Sequence, residues 1–399
     1  MITLADVRAA AARIEGRVLR TPAVPSAAIA RQVGAAEVVL KLDNLQATGA
    51  FKERGAANRL ALLSAEERAR GVIAMSAGNH AQAVARHASL LGIAATIVMP
   101  KHTPSTKVVR TAGWGARVVL HGETLAEAAE HAQKLAAEEG LVFVHPYDDE
   151  AVMAGQGTLA LELLTDFPDL DMLAIPVGGG GLAAGCAVAA CAMKPGIEVV
   201  GVEVAAYAPL AQRLAGRPVS VGGATIAEGI AVRDIGEAPF AAIRALVADV
   251  LVVPERAVEA AIALLAEDMK QVAEGAGAAG VAALIAFPER FAGRRVGVPV
   301  CGGNIDSRIH ANVMLRNLLR DGRLTRLILE IPDRPGVLAD IAGCIGGAGG
   351  NIIDVSHHRL FASPSVQAAQ LEVMFEARDS AHAAEIVAAL EARYTVRRA

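Results

Sequence analysis

At 399 residues the chain is long enough for two or three domains with ample cores. Apolar residues make up 53% of it and aromatics 3%, a mix suited to buried parallel strands beneath Ala-rich helices. The formal charge of −4, with no long Lys/Arg cluster, argues against a nucleic-acid surface and for a small-molecule partner.

The first segment, MITLADVRAAAARIEGRV, reads as an amphipathic helix with charges throughout. It has no basic stretch followed by an apolar one, so no secretory signal is expected. From about residue 38 to 320, short β-branched runs alternate with helical patterns. Strands are predicted at 38–43, 72–75, 95–99, 117–120, 142–144, 172–177, 198–203, 250–253 and 296–300, with helices such as 81–92 and 123–140 between them. This α/β alternation predicts a mostly parallel sheet with helices on both faces, and ligands bind at the carboxyl ends of such strands. Residues 172–193 carry no charge over nearly the ~20 residues of a membrane span. Pro176 and four successive glycines interrupt them, so a strand, a glycine loop and a buried helix are expected instead, with no membrane association. Cys186, Cys191, Cys301 and Cys344 form no C-x-x-C pair and have no His cluster nearby. Free thiols and a cytoplasmic location are expected, without disulfides or structural zinc.

A break is expected near Asp321-Gly322, dividing the chain into domains 1–322 and 323–399. The tail restarts with a strand at 326–332 and a helix from Pro335. Strands at 351–360 and 367–377, a helix at 380–393 and the segment YTVR (394–397) complete a β-α-β-β-α unit.

Four motifs carry chemistry. In QATGAFKERGAANRL (46–60), Lys52 opens a helix after a tight turn. Such a lysine is ordinarily a solvated surface charge. Here Gly49 allows close backbone approach and Phe51 supplies apolar surface. At the mouth of an apolar pocket the amine loses solvation, its pKa falls, and some of it is neutral and able to attack a carbonyl. In MSAGNHAQAVARHA (75–88), a turn leads its N–H groups into a helix, an anion site suited to a carboxylate. A plain N-cap by Asn79 or Ser76 is the alternative. In PVGGGGLAAG (176–185), successive glycines let backbone amides crowd around a phosphate. Gly178-x-Gly180-x-x-Ala183, with Glu203 ending the next strand, also fits a dinucleotide fingerprint, so an NAD-binding dehydrogenase is the rival. In PVCGGNIDSR (299–308), Cys301 is a small buried hydrophobe unless a cofactor edge lies beside it.

In this order the four motifs resemble those of the threonine/serine dehydratase family, within the tryptophan-synthase-β-like, fold type II class of pyridoxal-phosphate enzymes. The resemblance covers residues 1–322 and implies two parallel-sheet lobes, with pyridoxal 5'-phosphate as cofactor. By it, Lys52 carries the cofactor as a Schiff base, Phe51 lies near the ring, and Asn79 bonds the ring's hydroxyl oxygen. Gly178, Gly179, Gly180, Gly181 and Leu182 hold the phosphate through backbone amides. Cys301 faces the pyridine nitrogen, where the family usually has Ser. Ser76, Ala77, Gly78, Asn79 and His80 receive the substrate carboxylate, and AGQGT (154–158) looks like a second substrate loop. The implied reaction is β-elimination of threonine to 2-oxobutanoate and ammonia, with serine as a poorer substrate, in a homo-oligomer, dimer or tetramer. A serine-preferring dehydratase is the nearest alternative. A thiol with the usual pKa of about 8.5 cannot keep the pyridine nitrogen protonated as Asp would, which suits elimination more than transamination.

Two departures narrow the reading. Serine racemases of the family place an acid/base Ser where this chain has Ala77, so racemisation should be minor. Metal-activated members carry a second acid where this chain has Pro209, so no metal is expected. The tail LEIPDRPGVLADIAGCIGGAGGNIIDVSHHRL (329–360) resembles an ACT domain, a ferredoxin-like α+β module that senses small molecules. Asp333, Arg334 and Gly336 are its candidate effector-binding residues for an amino acid. A purely oligomerising domain is the alternative. His310, His357 and His358 read as structural.

Overall fold

The computed structural model describes residues 1–359 and 368–398. The chain divides into two units, Met1–Ile305 and Asp306–Ala399. The expected boundary at 322/323 falls after helix Ser307–Arg320, which groups with the tail.

In the first unit the predicted strands form two sheets. Strands Val72–Met75, Ala95–Met99, Arg117–Leu120 and Val142–Phe143 pair in parallel, in the order 117–120, 95–99, 72–75, 142–143. The larger sheet runs Ala23–Pro25, Glu37–Lys41, Arg295–Pro299, Met172–Pro176, Glu198–Val204, Asp249–Val253. All its pairings are parallel except the antiparallel edge Ala23–Pro25. That edge escapes sequence patterning because three residues give no alternation, and its proline is tolerated only at an edge. Periodicity marks strands but not their partners. The alternation alone therefore predicts a single sheet, whereas the family resemblance implies the two lobes that form.

Helices cover both faces of the larger sheet, and its central strands are buried accordingly. The uncharged stretch 172–193 resolves into strand Met172–Pro176, the glycines, and helix Gly181–Met193. Among the described residues no helix is long and apolar enough to cross a membrane.

Helix Lys52–Ala61 is anchored by a buried ionic network. The Arg54 guanidinium bonds Asp43 at 2.6 Å and Glu162 at 2.7 Å, and Lys41 reaches Glu162 at 2.6 Å. Removing one partner from such a buried set costs about 3–5 kcal/mol, because a charge is left uncompensated. The network thus fixes the helix that Lys52 opens.

In the second unit, four antiparallel strands lie in the order Asn351–His358, Ala368–Glu376, Leu324–Pro332, Thr395–Arg398. Leu327, Leu329, Ile331, Leu371, Val373 and Phe375 alternate onto one face, against Ile341 and Ile345 of helix Val337–Gly347 and Ile386 and Leu390 of helix Ser380–Glu391. The first of these helices starts at Val337 rather than Pro335, because Gly336 at φ 94° sets its entry. Leu360 and Gln367, expected in the two longer strands, lie outside the described residues.

Candidate active site

The turn before Lys52 is built on Gly49, whose φ of 74° is a region that favours glycine. A Cβ there would also stand 2.8 Å from Asn304 Oδ1. The Phe51 N–H donates to the Cys301 carbonyl and the Gly303 N–H to the Gly49 carbonyl, both at 2.9 Å, stitching this turn to the segment after strand Arg295–Pro299. Lys52 is half-buried, 5.2 Å from the Phe51 ring centre, and its Nζ donates to the Pro146 carbonyl at 2.6 Å. Burial pulls its pKa from 10.5 to about 8. Roughly a tenth of such an amine is neutral at pH 7, far more than for free lysine.

Pro146 lies in the segment after strand Val142–Phe143, and the same segment orients His80. His80 Nε2 faces the Val144 carbonyl at 2.9 Å. Burial, and then the charge on Lys52, push its pKa down to about 3, so the ring is neutral and Nε2 carries the hydrogen. Tyr147 packs on the glycine loop. A Cβ on Gly179 would meet the Tyr147 ring at 2.3 Å, and one on Gly181 its carbonyl at 2.9 Å. Gly180, at φ 93°, turns the chain into helix Gly181–Met193. The N–H groups of Gly178, Gly179, Gly180, Gly181 and Leu182 have no acceptor among the described residues. They form a cradle for an anion.

Asn79 opens helix Asn79–Leu90, but it is not its cap. The capping position is Gly78, which has no side chain to cap the helix with. Ser76 Oγ instead accepts the Gly78 N–H at 3.1 Å. The Asn79 amide reaches across, donating from Nδ2 to Glu274 Oε1 at 2.6 Å and accepting from Asn304 Nδ2 at 2.8 Å. Burial pushes Glu274 up to about 7, with the Asn79 hydrogen bond acting in the opposite sense. Cys301 is buried, and burial pushes its thiol well above its ordinary value, so it is neutral.

Contacts therefore run from Gly179 to Tyr147 and Pro146, then Lys52, Phe51, Cys301, Gly302, Glu274 and Asn79. The four motifs meet in one place. Glu203 does not join them. Its two oxygens accept the N–H groups of Leu210 and Ala211 at 2.8 and 2.9 Å, and it is fully buried, so it is not free to bind a ribose as the dinucleotide reading requires.

The expected second substrate loop, 154–158, is instead the interior of helix Glu150–Asp166. A Cβ on Gly155 would stand 2.5 Å from the Arg54 carbonyl, and one on Gly157 2.7 Å from the Gly185 carbonyl. Both glycines serve close contact with the lysine helix and the glycine-loop helix.

Sequence reading missed Glu274, Pro146 and Tyr147. Glu274 had a signal: it stands directly before the charge-free helix Gly275–Ala286. Pro146 acts through its carbonyl, which no residue type encodes. In the tail, Asp333, Arg334 and Gly336 are exposed, and Asp333 pairs with Arg359 at 3.2 Å.

The pyridoxal-phosphate dependent enzyme family matches residues 14–302, and the ACT domain family matches residues 325–393. An L-threonine ammonia-lyase of Thermotoga maritima is 40% identical across the whole of this chain and 99% of its own length. Among solved structures, the processed form of threonine deaminase isoform 2 from Solanum lycopersicum is 32% identical with a TM-score of 0.74, covering 79% of this chain and 87% of that one. Maize serine racemase is 34% identical with a TM-score of 0.73, covering 79% and 99%.

Proposed function

Since the chain belongs to the pyridoxal-phosphate-dependent enzyme family and carries a C-terminal ACT domain, we propose that it deaminates L-threonine to 2-oxobutanoate and ammonia, with L-serine as a poorer substrate. The observation that carries this reading is Lys52: a desolvated amine at a helix start, linked through Pro146 and Tyr147 to a set of unpartnered amides.

The residues present fit pyridoxal 5'-phosphate. The N–H groups of Gly178 to Leu182 suit its phosphate, and Lys52 suits its aldehyde. Asn79 offers a donor for its hydroxyl oxygen, Phe51 an apolar wall, and Cys301 a neutral thiol for its ring nitrogen. Bound there, the cofactor supplies an electron sink for deprotonation at Cα.

The protein's own residues do the rest. The N–H groups of Ala77, Asn79 and His80 hold the substrate carboxylate and so aim the Cα–H bond, those of Ser76 and Gly78 being bonded to the Val98 carbonyl and to Ser76 Oγ. Lys52, with a pKa near 8, takes the Cα proton and is close enough to neutrality to release it again to the departing β-hydroxyl, which leaves as water; water then hydrolyses the released enamine to 2-oxobutanoate and ammonia. Pro146 gives the resulting ammonium an acceptor within reach. His80 adds no competing charge, because it stays neutral. Ala77 offers no proton donor of its own, which favours elimination over racemisation.

The tail binds an amino-acid effector through Asp333, Arg334 and the helix entry at Gly336, in a cytoplasmic homo-oligomer, dimer or tetramer. The test is absorbance of the purified protein together with keto-acid release from threonine and serine. An imine band with turnover of threonine above serine is expected. No band and no turnover would overturn the reading, and serine turned over faster would favour a serine dehydratase.

A further inference from the structure

Asn79 can present either end of its amide, and only the donor end suits an electron-rich ring oxygen. The choice is fixed two residues away in space. Asn304 Nδ2 donates both to Asn79 Oδ1 at 2.8 Å and to the Thr48 backbone carbonyl at 2.7 Å. A backbone carbonyl can only accept, so Asn304 must turn its NH2 towards Thr48. That orientation puts a donor against Asn79 Oδ1, and Asn79 must then direct its own NH2 inward, where one N–H meets Glu274 Oε1 at 2.6 Å. Reversing Asn304 would set its oxygen against two acceptors at once. The chain of donors has a single direction, and its origin is a carbonyl of the turn that carries Lys52.

We propose that Asn304 is a positioning residue that locks Asn79 as a hydrogen-bond donor and ties that donor to the lysine turn. The proposal rests on the reading that Asn79 serves the cofactor's ring hydroxyl, and it extends that reading to a residue with no assigned role. The second N–H of Asn79 is left for that oxygen and would favour its deprotonated form. Without Asn304, Asn79 Oδ1 loses its donor and the amide is free to flip. A flipped amide sets its oxygen against the Glu274 carboxylate, which is tolerated only when Glu274 holds a proton.

The test compares Asn304→Ala, Asn304→Asp and Asn79→Ala in the holoenzyme, by absorbance titration from pH 6 to 9, thermal unfolding and threonine kinetics. Both Asn304 variants should melt within a few degrees of wild type, because Asn304 is half-buried at a loop. Their cofactor absorbance should become pH-dependent where that of wild type is flat, and kcat should fall about 10- to 100-fold with little change in KM, the size seen when partners that orient ligating groups are removed. Asn304→Asp should be at least as impaired as Asn304→Ala, since a carboxylate has no hydrogen to give. If Asn79→Ala changes the spectrum but both Asn304 variants keep the wild-type spectrum and kcat, the positioning role is wrong. If Asn79→Ala itself leaves the spectrum unchanged, the underlying reading of Asn79 is wrong, and this inference falls with it.

Discussion

Replacing Lys52 by Met should abolish turnover and, in the cofactor-free protein, raise stability. The ammonium folds with a pKa of about 8 against 10.5 when solvated, so the unfolded state binds its proton more tightly. At 1.36 kcal/mol per pKa unit, this costs the fold roughly 3 kcal/mol wherever both states are protonated, that is, below pH 8. Methionine keeps the volume and removes the charge. It also leaves the Pro146 carbonyl without its donor, which returns about 1–2 kcal/mol. A net gain of about 1–2 kcal/mol is therefore expected at pH 7. The sign of the pH dependence follows from the depressed pKa. As pH rises from 8 to 10.5, the folded amine is already neutral while the unfolded one still holds its proton. The penalty on wild type fades across that window, and the variant's advantage shrinks by about 2 kcal/mol between pH 7 and 9.5. Isothermal denaturation of both proteins, stripped of cofactor, at these two pH values measures it. A variant less stable than wild type by the same amount at both pH values would mean that the amine is not desolvated, and the account of its reactivity would fail.

Cys301→Ser should keep substantial activity, because both side chains are neutral and weakly hydrogen-bonding; Cys301→Asp should divert flux to side products, which product analysis by chromatography detects. Gly155→Ala places a methyl 2.5 Å from the Arg54 carbonyl, where only backbone can give way, and overpacking of this kind costs about 1–3 kcal/mol. A drop of several degrees in Tm and a lower kcat are expected, and an unchanged Tm would show that the two helices do not need the glycine. A chain ending at Gly322 should deaminate threonine yet lose any response to isoleucine or valine, given that couplings of this kind run about 1–3 kcal/mol. Titration of both forms with each amino acid checks it. A full-length protein that responds to no amino acid would make the tail an assembly module.

What was legible in the sequence was whatever a residue type encodes by itself. Parallel strands appeared as β-branched runs, and Lys52, Asn79 and the four glycines stood out because few residues can do what those places need. The AGQGT segment shows the opposite case. Glycine signals freedom in a turn and close approach in a helix equally well, and only the 2.5 Å gap to Arg54 tells them apart. Glu274 stands before a charge-free helix and Asn304 lies in the fourth motif, but their partners are 195 and 225 residues away in sequence, and no local pattern names those partners. The split into two sheets was legible only through the family resemblance and not through periodicity, since strand pairing is non-local.

The stitching of the lysine turn to Cys301 and Gly303 also has a consequence for biogenesis. Strand Arg295–Pro299 sits between Glu37–Lys41 and Met172–Pro176, so the last strand of its sheet to be translated fills a place near the middle. At ordinary synthesis rates, about 250 residues separate Lys52 from its seat by roughly 10–50 s of translation. During that time the ribosome carries a nascent chain whose reactive amine is still solvated and whose sheet is open at its centre. Such a protein gains its cofactor chemistry late and all at once, and a nonsense mutation before residue 295 should leave a product that needs chaperones and captures no cofactor.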